Sequence, residues 1–295
     1  MKDIKKANLL IEAAKQMDII SHEYCNMTQC TNERMKAVEG ELNCEWYHGG
    51  WMYCRLAGIV VSEDYLGKEY ERFFIKHINS KRINILVCGL ADFAILEHII
   101  RRIPNKITNK IHITILDICN SPLKLCDWYL KKCIPTFLSH VDYVVSDATK
   151  LPFEDNTFDL ITSYSFLTRM IYNMASKVVN EWERVLKKEG NILTTVHIFT
   201  SLNHDGDFYI SPNADKNYAL KKADEFILLN EIDDALSLIM KNKVKKYVSN
   251  IMSVAMSEEK LKTLFSNFQL EFTDFDQPGE LEDVHNMIIV NAKKR

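Results

Sequence analysis

One short segment of this sequence combines a strand-like run with a turn of small residues. The apolar run at 83–88 leads into Gly89 and Ala91, and helical spacing follows. Small residues let the backbone approach a ligand, and N–H groups at a helix start favour a negative group. The dinucleotide fingerprint has three glycines, whereas this turn has Gly89 alone, with Ala91 and Phe93 at the later positions. By itself the turn indicates nucleotide binding only weakly.

Two acidic residues each follow a further strand-like run. Asp117 ends the run at 111–116, where a carboxylate can accept hydrogen bonds from both hydroxyls of a ribose. Asp147 follows the run at 141–145 and can accept from the exocyclic amine of adenine. Either residue could instead only cap the helix that follows it. Together with the turn at Gly89, the pair favours nucleotide binding.

The densest aromatic stretch lies at residues 45–55. Tyr47 and Trp51 could pack on a cation, and Arg55 could pair with a carboxylate. Aromatic stretches of this kind also occur in ordinary cores, so both interpretations stay open.

The elements that must position these residues predict an α/β fold. Seven runs have the length and composition of strands, at 83–88, 111–116, 141–145, 158–162, 191–198, 269–275 and 286–292. The first five alternate with helical stretches, which predicts parallel strands covered on both faces and ligands at their carboxyl ends. The last two, joined by a turn at 277–279, suit an antiparallel hairpin. We therefore expect a seven-stranded, mostly parallel, doubly wound sheet with a terminal antiparallel hairpin.

The remaining segments predict the domain organisation. Residues 1–80 have helical periodicity and form an N-terminal segment or lid. Residues 81–295 form the Rossmann-like domain, in which 201–267 is a helical cap inserted before the hairpin.

Composition limits the classes of partner. The 295 residues carry a net charge of −3, so no global basic field attracts nucleic acid. We find no signal peptide or membrane-spanning run and expect a cytoplasmic protein with no membrane partner.

The eight cysteines include no Cys-x-x-Cys pair, which predicts reduced thiols. Cys25 and Cys30 with His22 could be imagined as metal ligands, but their spacing matches no common zinc pattern. We therefore expect no metal.

In order and spacing, these segments resemble the successive motifs of class I S-adenosylmethionine-dependent methyltransferases over about residues 80–200. The matching segments are the turn at Gly89, Asp117, Asp147–Ala148 with 151–153, 158–161 and 183–190. The resemblance implies S-adenosylmethionine as cofactor and S-adenosylhomocysteine as product. It assigns the methionine part to Gly89 and Ala91, the ribose to Asp117, and the adenine to Asp147 with Ala148.

Two details resemble a bacterial small-molecule subgroup: the loop Gly89-Leu90-Ala91-Asp92, and Pro122-Leu123 with Trp128-Tyr129. The subgroup resemblance also favours Tyr47, Trp51 and Arg55 as cofactor contacts. Val87 stands where an acid is usual in the family, so we expect Asp92 to contact the methionine ammonium. Ile118 and Ser163 complete the predicted contacts.

Methyl transfer needs mainly a positioned acceptor, and a general base only for a hydroxyl or a protonated amine. The candidate bases are His197, His204 and His48. The Asn/Asp-Pro-Pro-aromatic signature of amino-N-methyltransferases is absent after the fourth strand, where residues 163–166 read Ser-Tyr-Ser-Phe, so methylation of nucleic-acid bases through that motif is disfavoured. We expect an oxygen or nitrogen acceptor atom, with carbon less favoured, on a small, partly apolar metabolite.

Three alternatives stay open. An NAD(P)-dependent oxidoreductase would share the turn at Gly89 and the acid at Asp117, but it gives no reason for Asp147. A non-catalytic cofactor-binding or dimerisation module would keep the fold without turnover, and a homodimer is one arrangement we consider. A nucleic-acid methyltransferase would need a basic face.

Overall fold

A computed structural model describes residues 4–25, 44–60, 67–78, 82–103, 105–199, 205–206, 208–210, 216–274 and 285–295. Its helices are α1 (Ile4–Tyr24), α2 (Glu45–Leu56), α3 (Gly67–His77), α4 (Ala94–Ile100), α5 (Asn120–Cys133), α6 (Tyr172–Val185), α7 (Lys216–Leu229), α8 (Asp234–Asn250) and α9 (Glu258–Leu264). Its strands are β1 (Ile83–Cys88), β2 (Ile111–Asp117), β3 (Val141–Val145), β4 (Phe158–Thr162), β5 (Leu186–Phe199), β6 (Phe208–Ile210), β7 (Met252–Met256), β8 (Phe268–Asp274) and β9 (His285–Lys294).

The main sheet confirms the predicted architecture. Its strands follow the order β3-β2-β1-β4-β5-β9-β8, in which the first five are parallel and β9 is antiparallel to both neighbours. Cys88 pairs with Leu116, and Asp117 with Val145. The loops that follow β1, β2 and β3 therefore meet at one edge of the sheet.

The two faces of the sheet are buried by different helices. On β1, Ile85 and Val87 join an apolar cluster with α1 to α5, α7 and α8, whereas Leu86 and Cys88 join a second cluster with α6 and α9. Side chains of a strand alternate between its faces, so consecutive apolar residues such as 85–88 of β1 require cover on both.

The insertion differs from the sequence prediction. The predicted helical cap at 201–267 contains two strands besides its helices: β6 pairs antiparallel with β7, and β7 runs parallel to the far end of β5. The run at 252–256 is only five residues long, and a short apolar run between helices does not distinguish strand from helix by periodicity.

Strand β5 also begins earlier than predicted. It starts at Leu186 instead of 191, because Leu186 pairs with Phe158 before a register shift. The intervening residues are mostly charged and give no strand pattern. The predicted hairpin turn at 277–279 lies outside the described residues.

The N-terminal helices pack against the insertion. A Cβ on Gly50 of α2 would lie 2.8 Å from the Cβ of Tyr247, so only glycine permits this approach of α2 to α8. Asp18 of α1 accepts a hydrogen bond from Tyr53 at 2.6 Å and pairs with Lys243 of α8 at 2.8 Å. These contacts place α1 and α2 beside the insertion. The division into domains near residue 80 stays a prediction.

Among the described residues, no helix is long and apolar enough to cross a membrane.

Candidate functional site

Asp117 is a buried carboxylate at the carboxyl end of β2, only 8% exposed. Its Oδ2 accepts a hydrogen bond from the backbone N–H of Leu90 at 2.9 Å, and its Oδ1 accepts from that of Cys119 at 2.8 Å. Burial raises the pKa of Asp117 to about 6, although the charge of His48 and the two N–H donors act in the opposite direction. Each oxygen keeps a further acceptor position. The oriented carboxylate can therefore also bind a diol.

Gly89 begins the loop after β1 with φ of +71°, a conformation that favours glycine. Its amide donates to the carbonyl of Leu116 at 2.8 Å. A Cβ at this position would lie 2.0 Å from the ring of Phe166, which follows β4. Gly89 thus has a packing role, which sequence reasoning missed, beside its predicted contact with a cofactor.

The loop after β3 lies next to Asp117. The amide of Ser146 donates to the carbonyl of Asp117 at 3.0 Å, and Oδ1 of Asp147 accepts from the amide of Thr149 at 2.9 Å. Asp147 is half-buried, and Ala148 is buried. The structure therefore brings the two predicted acids to adjacent loops.

Two residues of α6 hold the continuation of this loop. Glu181 Oε2 accepts from the amide of Leu151 at 2.7 Å, and Arg184 donates to the carbonyls of Leu151 and Phe153 at 3.0 and 2.7 Å. Arg184 also donates to Glu181 at 2.8 Å. This hydrogen bond is the main reason that the pKa of Glu181 is lowered.

Asp92 is the centre of a buried polar cluster that joins α2 to the loop after β1. Its Oδ2 accepts from Nε1 of Trp51 at 2.7 Å, and its Oδ1 accepts from the amide of Ala94 at 2.6 Å. Arg55 lies 3.1 Å from Asp92 Oδ1, with both side chains almost fully buried. Three predicted contacts, Trp51, Arg55 and Asp92, thus lie together.

Arg55 retains hydrogen-bonding capacity in this cluster. It lies over the ring of Phe93 at 4.8 Å and 3.9 Å from Glu97. Beyond its ion pairs with Asp92 and Glu97, the guanidinium makes no hydrogen bond within the described part of the chain, and its three nitrogens are buried. A guanidinium in this state can still donate to a ligand carboxylate.

Tyr47 belongs to an aromatic cluster shared by α2 and α8. Its ring centroid lies 5.6 Å from that of Tyr247 and 6.1 Å from that of Trp51. Arg169, which follows β4, lies 5.8 Å from the Tyr47 ring. Burial raises the pKa of Tyr47, while the charge of Arg169 opposes this rise. The sequence indicated Tyr47 and Trp51 but gave no sign that Tyr247 and Arg169, far along the chain, would join them.

The three candidate bases have different environments. His197 on β5 pairs with Met287 of β9. Because Leu193 pairs with Thr162 at the end of β4, His197 lies four residues, or roughly 13 Å, beyond that edge. His48 is 5% exposed and lies among three cysteines. His204 lies outside the described residues.

The remaining predicted contacts lie near the same edge. Ile118 is half-buried directly after Asp117. Ser163 is fully buried, and its Oγ is 2.6 Å from Oγ1 of Thr194. Its carbonyl accepts from the hydroxyl of Tyr70 on α3 at 2.7 Å, another contact that the sequence did not predict.

One protein-family model, described as a methyltransferase domain, matches residues 100–194 of this chain. No curated protein matches the sequence. The solved structures that match this chain include three methyltransferases. Geranyl diphosphate methyltransferase in complex with S-adenosylmethionine has a TM-score of 0.50 at 9% identity, covering 90% of this chain and 96% of that chain. A methyltransferase from Methanosarcina mazei has a TM-score of 0.46 at 15% identity, and the match covers 75% of this chain and 96% of that chain. The N-methyltransferase NodS from Bradyrhizobium japonicum WM9, solved with S-adenosylhomocysteine, has a TM-score of 0.46 at 13% identity. The match covers 77% of this chain and 86% of that chain.

The family match and the strand order confirm the predicted resemblance to class I, Rossmann-like S-adenosylmethionine-dependent methyltransferases. The match covers β2 to β4 and the first part of β5, a range that includes Asp117 and the loop of Asp147.

Proposed function

We propose that this protein transfers the methyl group of S-adenosylmethionine to an oxygen or nitrogen atom of a small-molecule metabolite, with carbon the less favoured acceptor atom. The observation that carries the proposal is the carboxylate of Asp117, held by the amides of Leu90 and Cys119 next to the loop of Asp147. This arrangement suits a ribose and an adenine side by side. The antiparallel β9 beside β5 argues against the all-parallel dinucleotide-binding sheet of an oxidoreductase.

The cofactor roles follow from the same edge of the sheet. Asp117 accepts hydrogen bonds from the ribose hydroxyls. Asp147 and Ala148 bind adenine, with Ile118 beside them. Gly89, Ala91 and Ser163 border the methionine part. Arg55 has unused donors for the carboxylate of the methionine part, and Asp92 has remaining lone pairs for the ammonium of the same part. Bound S-adenosylmethionine supplies an activated methyl group and leaves as S-adenosylhomocysteine.

The acceptor side is formed by the aromatic cluster and the end of β5. Tyr47 and Trp51, which remain proposed cofactor contacts, offer apolar ring faces together with Tyr247, and Arg169 places one cation beside them. A small, partly apolar acceptor with a polar or anionic group suits these side chains. In-line positioning of the acceptor supplies much of the rate.

His197 is the favoured general base for an acceptor that must lose a proton. Thr195 on the same face of β5 accepts a hydrogen bond from the amide of Ser165 at 2.8 Å, which brings the loop after β4 to this face. His48 is less favoured because its imidazole lies among buried thiols.

A turnover assay tests the proposal. The protein is incubated with methyl-deuterated S-adenosylmethionine and a panel of small alcohols, phenols and amines, and mass spectrometry follows S-adenosylhomocysteine and labelled products. We expect a labelled product with the wild type and none with Asp117→Ala. Cofactor binding with no turnover of any compound in the panel would indicate a non-catalytic module. Dependence on NAD instead would indicate an oxidoreductase.

A further inference from the structure

Three cysteine thiols and one imidazole converge at a buried point that the proposed reaction does not use. Cys25 follows α1, Cys44 and His48 lie at the start of α2, and Cys119 follows β2. The four residues are between 0 and 5% exposed, and their ligand atoms all lie within 4.8 Å of one another. The four residues come from three separate parts of the chain, so no local Cys-x-x-Cys spacing in the sequence predicts the cluster.

The distances between the sulfur atoms fit a common central ion. Sγ of Cys119 lies 3.6 Å from that of Cys44 and 3.9 Å from that of Cys25. Thiolates at about 2.3 Å from one tetrahedral zinc ion stand about 3.8 Å apart. A disulfide requires about 2.05 Å between its sulfur atoms. The cluster therefore has the spacing of metal ligands, and none of these three cysteines is in a disulfide.

The polar groups around the cluster suit negatively charged sulfur. The amide of Ser121 donates to Sγ of Cys119 at 3.5 Å, at the N-terminus of the fourteen-residue α5. The hydroxyl of Ser121 lies 3.3 Å from Sγ of Cys25. N–H groups at a helix start and nearby hydroxyls stabilise thiolates, as the outer hydrogen bonds of metal sites do.

A second observation concerns His48. Its Nδ1 is buried and has no hydrogen-bond partner within the described residues. An imidazole nitrogen left unsatisfied in the interior costs free energy, and coordination of a cation would remove that cost. The three cysteines also form a small cluster of their own, separate from the two main cores.

We propose that Cys25, Cys44, His48 and Cys119 bind one zinc ion in a closed tetrahedral site. A ligand set of three soft thiolates and one imidazole selects zinc over hard cations. Four protein ligands leave no position for water, so the ion has a structural role. It joins the end of α1 and the start of α2 to the loop after β2. The ion thereby fixes Cys119, whose amide orients Asp117.

The spacing of Cys25, Cys30 and His22 matches no common zinc pattern, so the sequence alone predicts no metal. His22 is mostly exposed and lies 3.5 Å from Glu45, and Cys30 lies outside the described residues. Cys25 instead meets two cysteines that are distant in sequence. The proposal depends on this cluster alone and holds whether or not the chain is a methyltransferase.

Metal analysis of the untagged full-length protein tests the site. The protein is expressed with zinc, or reconstituted anaerobically with zinc, and measured by plasma mass spectrometry. We expect about one zinc per chain. Replacement by cobalt should give the intense visible bands of tetrahedral cobalt with thiolate charge-transfer bands in the near ultraviolet. A chelator should lower the melting temperature, because metal binding is coupled to folding.

Matched variants distinguish the site from adventitious binding. Cys119→Ser and Cys44→Ser should lose the zinc, whereas Cys126→Ser should retain it. Cys126 is fully buried on α5 but outside the cluster, so this control makes the same chemical change in the interior. Metal content below about a tenth of an equivalent in the reconstituted wild type would overturn the proposal. So would an octahedral cobalt spectrum, or zinc retained by Cys119→Ser.

Discussion

The ring of Phe166 lies directly against Gly89, so close that a Cβ on Gly89 would stand 2.0 Å from the ring. Phe166 in turn packs on Trp182, whose indole N–H donates to Cys88 at 3.3 Å. The loop after β4 thereby closes over the loop after β1. A side chain at residue 89 would force these loops apart at the edge where Asp117 lies.

The first prediction contrasts two glycines that share a φ of +71°, Gly89 and Gly58. Gly58→Ala meets no atom within 4 Å and should cost about 1–2 kcal/mol of unfolding free energy through backbone strain alone. Gly89→Ala should cost about 1–3 kcal/mol more, because Phe166 must move. Urea denaturation measures both. Equal losses of unfolding free energy in the two variants would show that the contact with Phe166 does not contribute to the cost of a side chain at residue 89.

The second prediction concerns the hydrogen bond from Trp51 to Asp92. Trp51→Phe should destabilise the protein by about 1.5–3 kcal/mol beyond its loss of contact area, because it leaves a buried carboxylate short of a donor. Trp46→Phe is the matched control, since Trp46 is a buried tryptophan of the same helix whose Nε1 has no hydrogen-bond partner among the described residues. We expect denaturation to show the difference. If both variants lose the same stability, the Trp51–Asp92 bond is dispensable.

The third prediction is a pH dependence at Glu181. Its pKa is lowered from 4.5, so the ionised carboxylate contributes stability above pH 4.5, and that contribution is lost as the pH falls through the lowered pKa. Glu181→Gln should cost about 1 kcal/mol at pH 7, and the difference from wild type should vanish in acid. Thermal unfolding across pH measures it.

Glu183→Gln serves as the control for Glu181. Glu183 accepts from the side-chain amide of Asn267 at 2.9 Å, which a glutamine oxygen can replace. This variant should match wild type at every pH. A pH-independent loss in Glu181→Gln would contradict the assigned charge interaction.

The fourth prediction tests His197 as the base. His197→Gln should lower kcat by about 10²- to 10⁴-fold with a hydroxyl acceptor while leaving the Kd for S-adenosylhomocysteine unchanged. His112→Gln is the control, because His112 pairs with Asp142 at 2.8 Å on the surface. Parallel loss of kcat and cofactor affinity in His197→Gln would indicate a structural role.

Much of the fold could be predicted from the sequence. The runs at 83–88, 141–145 and 158–162 coincide with β1, β3 and β4, because each is a short, mostly apolar run bounded by polar residues or glycine. Asp117 and Asp147 were found by the same logic, since polar residues that end such runs lie at the ligand edge. The strands β6 and β7 were missed because short runs within a helical segment carry no distinctive period.

Contacts between distant segments could not be predicted from local patterns. The pairing of Phe166 with Gly89, the approach of Tyr247 to Tyr47, and the convergence of Cys25, Cys44 and Cys119 depend on how α2, α8 and the loops pack. A single sequence contains the residue types but not these distances.

The most direct test of the central claim is calorimetric titration of the protein with S-adenosylmethionine, S-adenosylhomocysteine and NAD. Asp117→Ala is the test variant, and Asp142→Ala, an exposed acid on β3, is the control. We predict Kd values on the order of micromolar for the first two ligands, about 8 kcal/mol of binding free energy, lost in Asp117→Ala and kept in Asp142→Ala. Silence with both ligands, or a preference for NAD, would contradict the account.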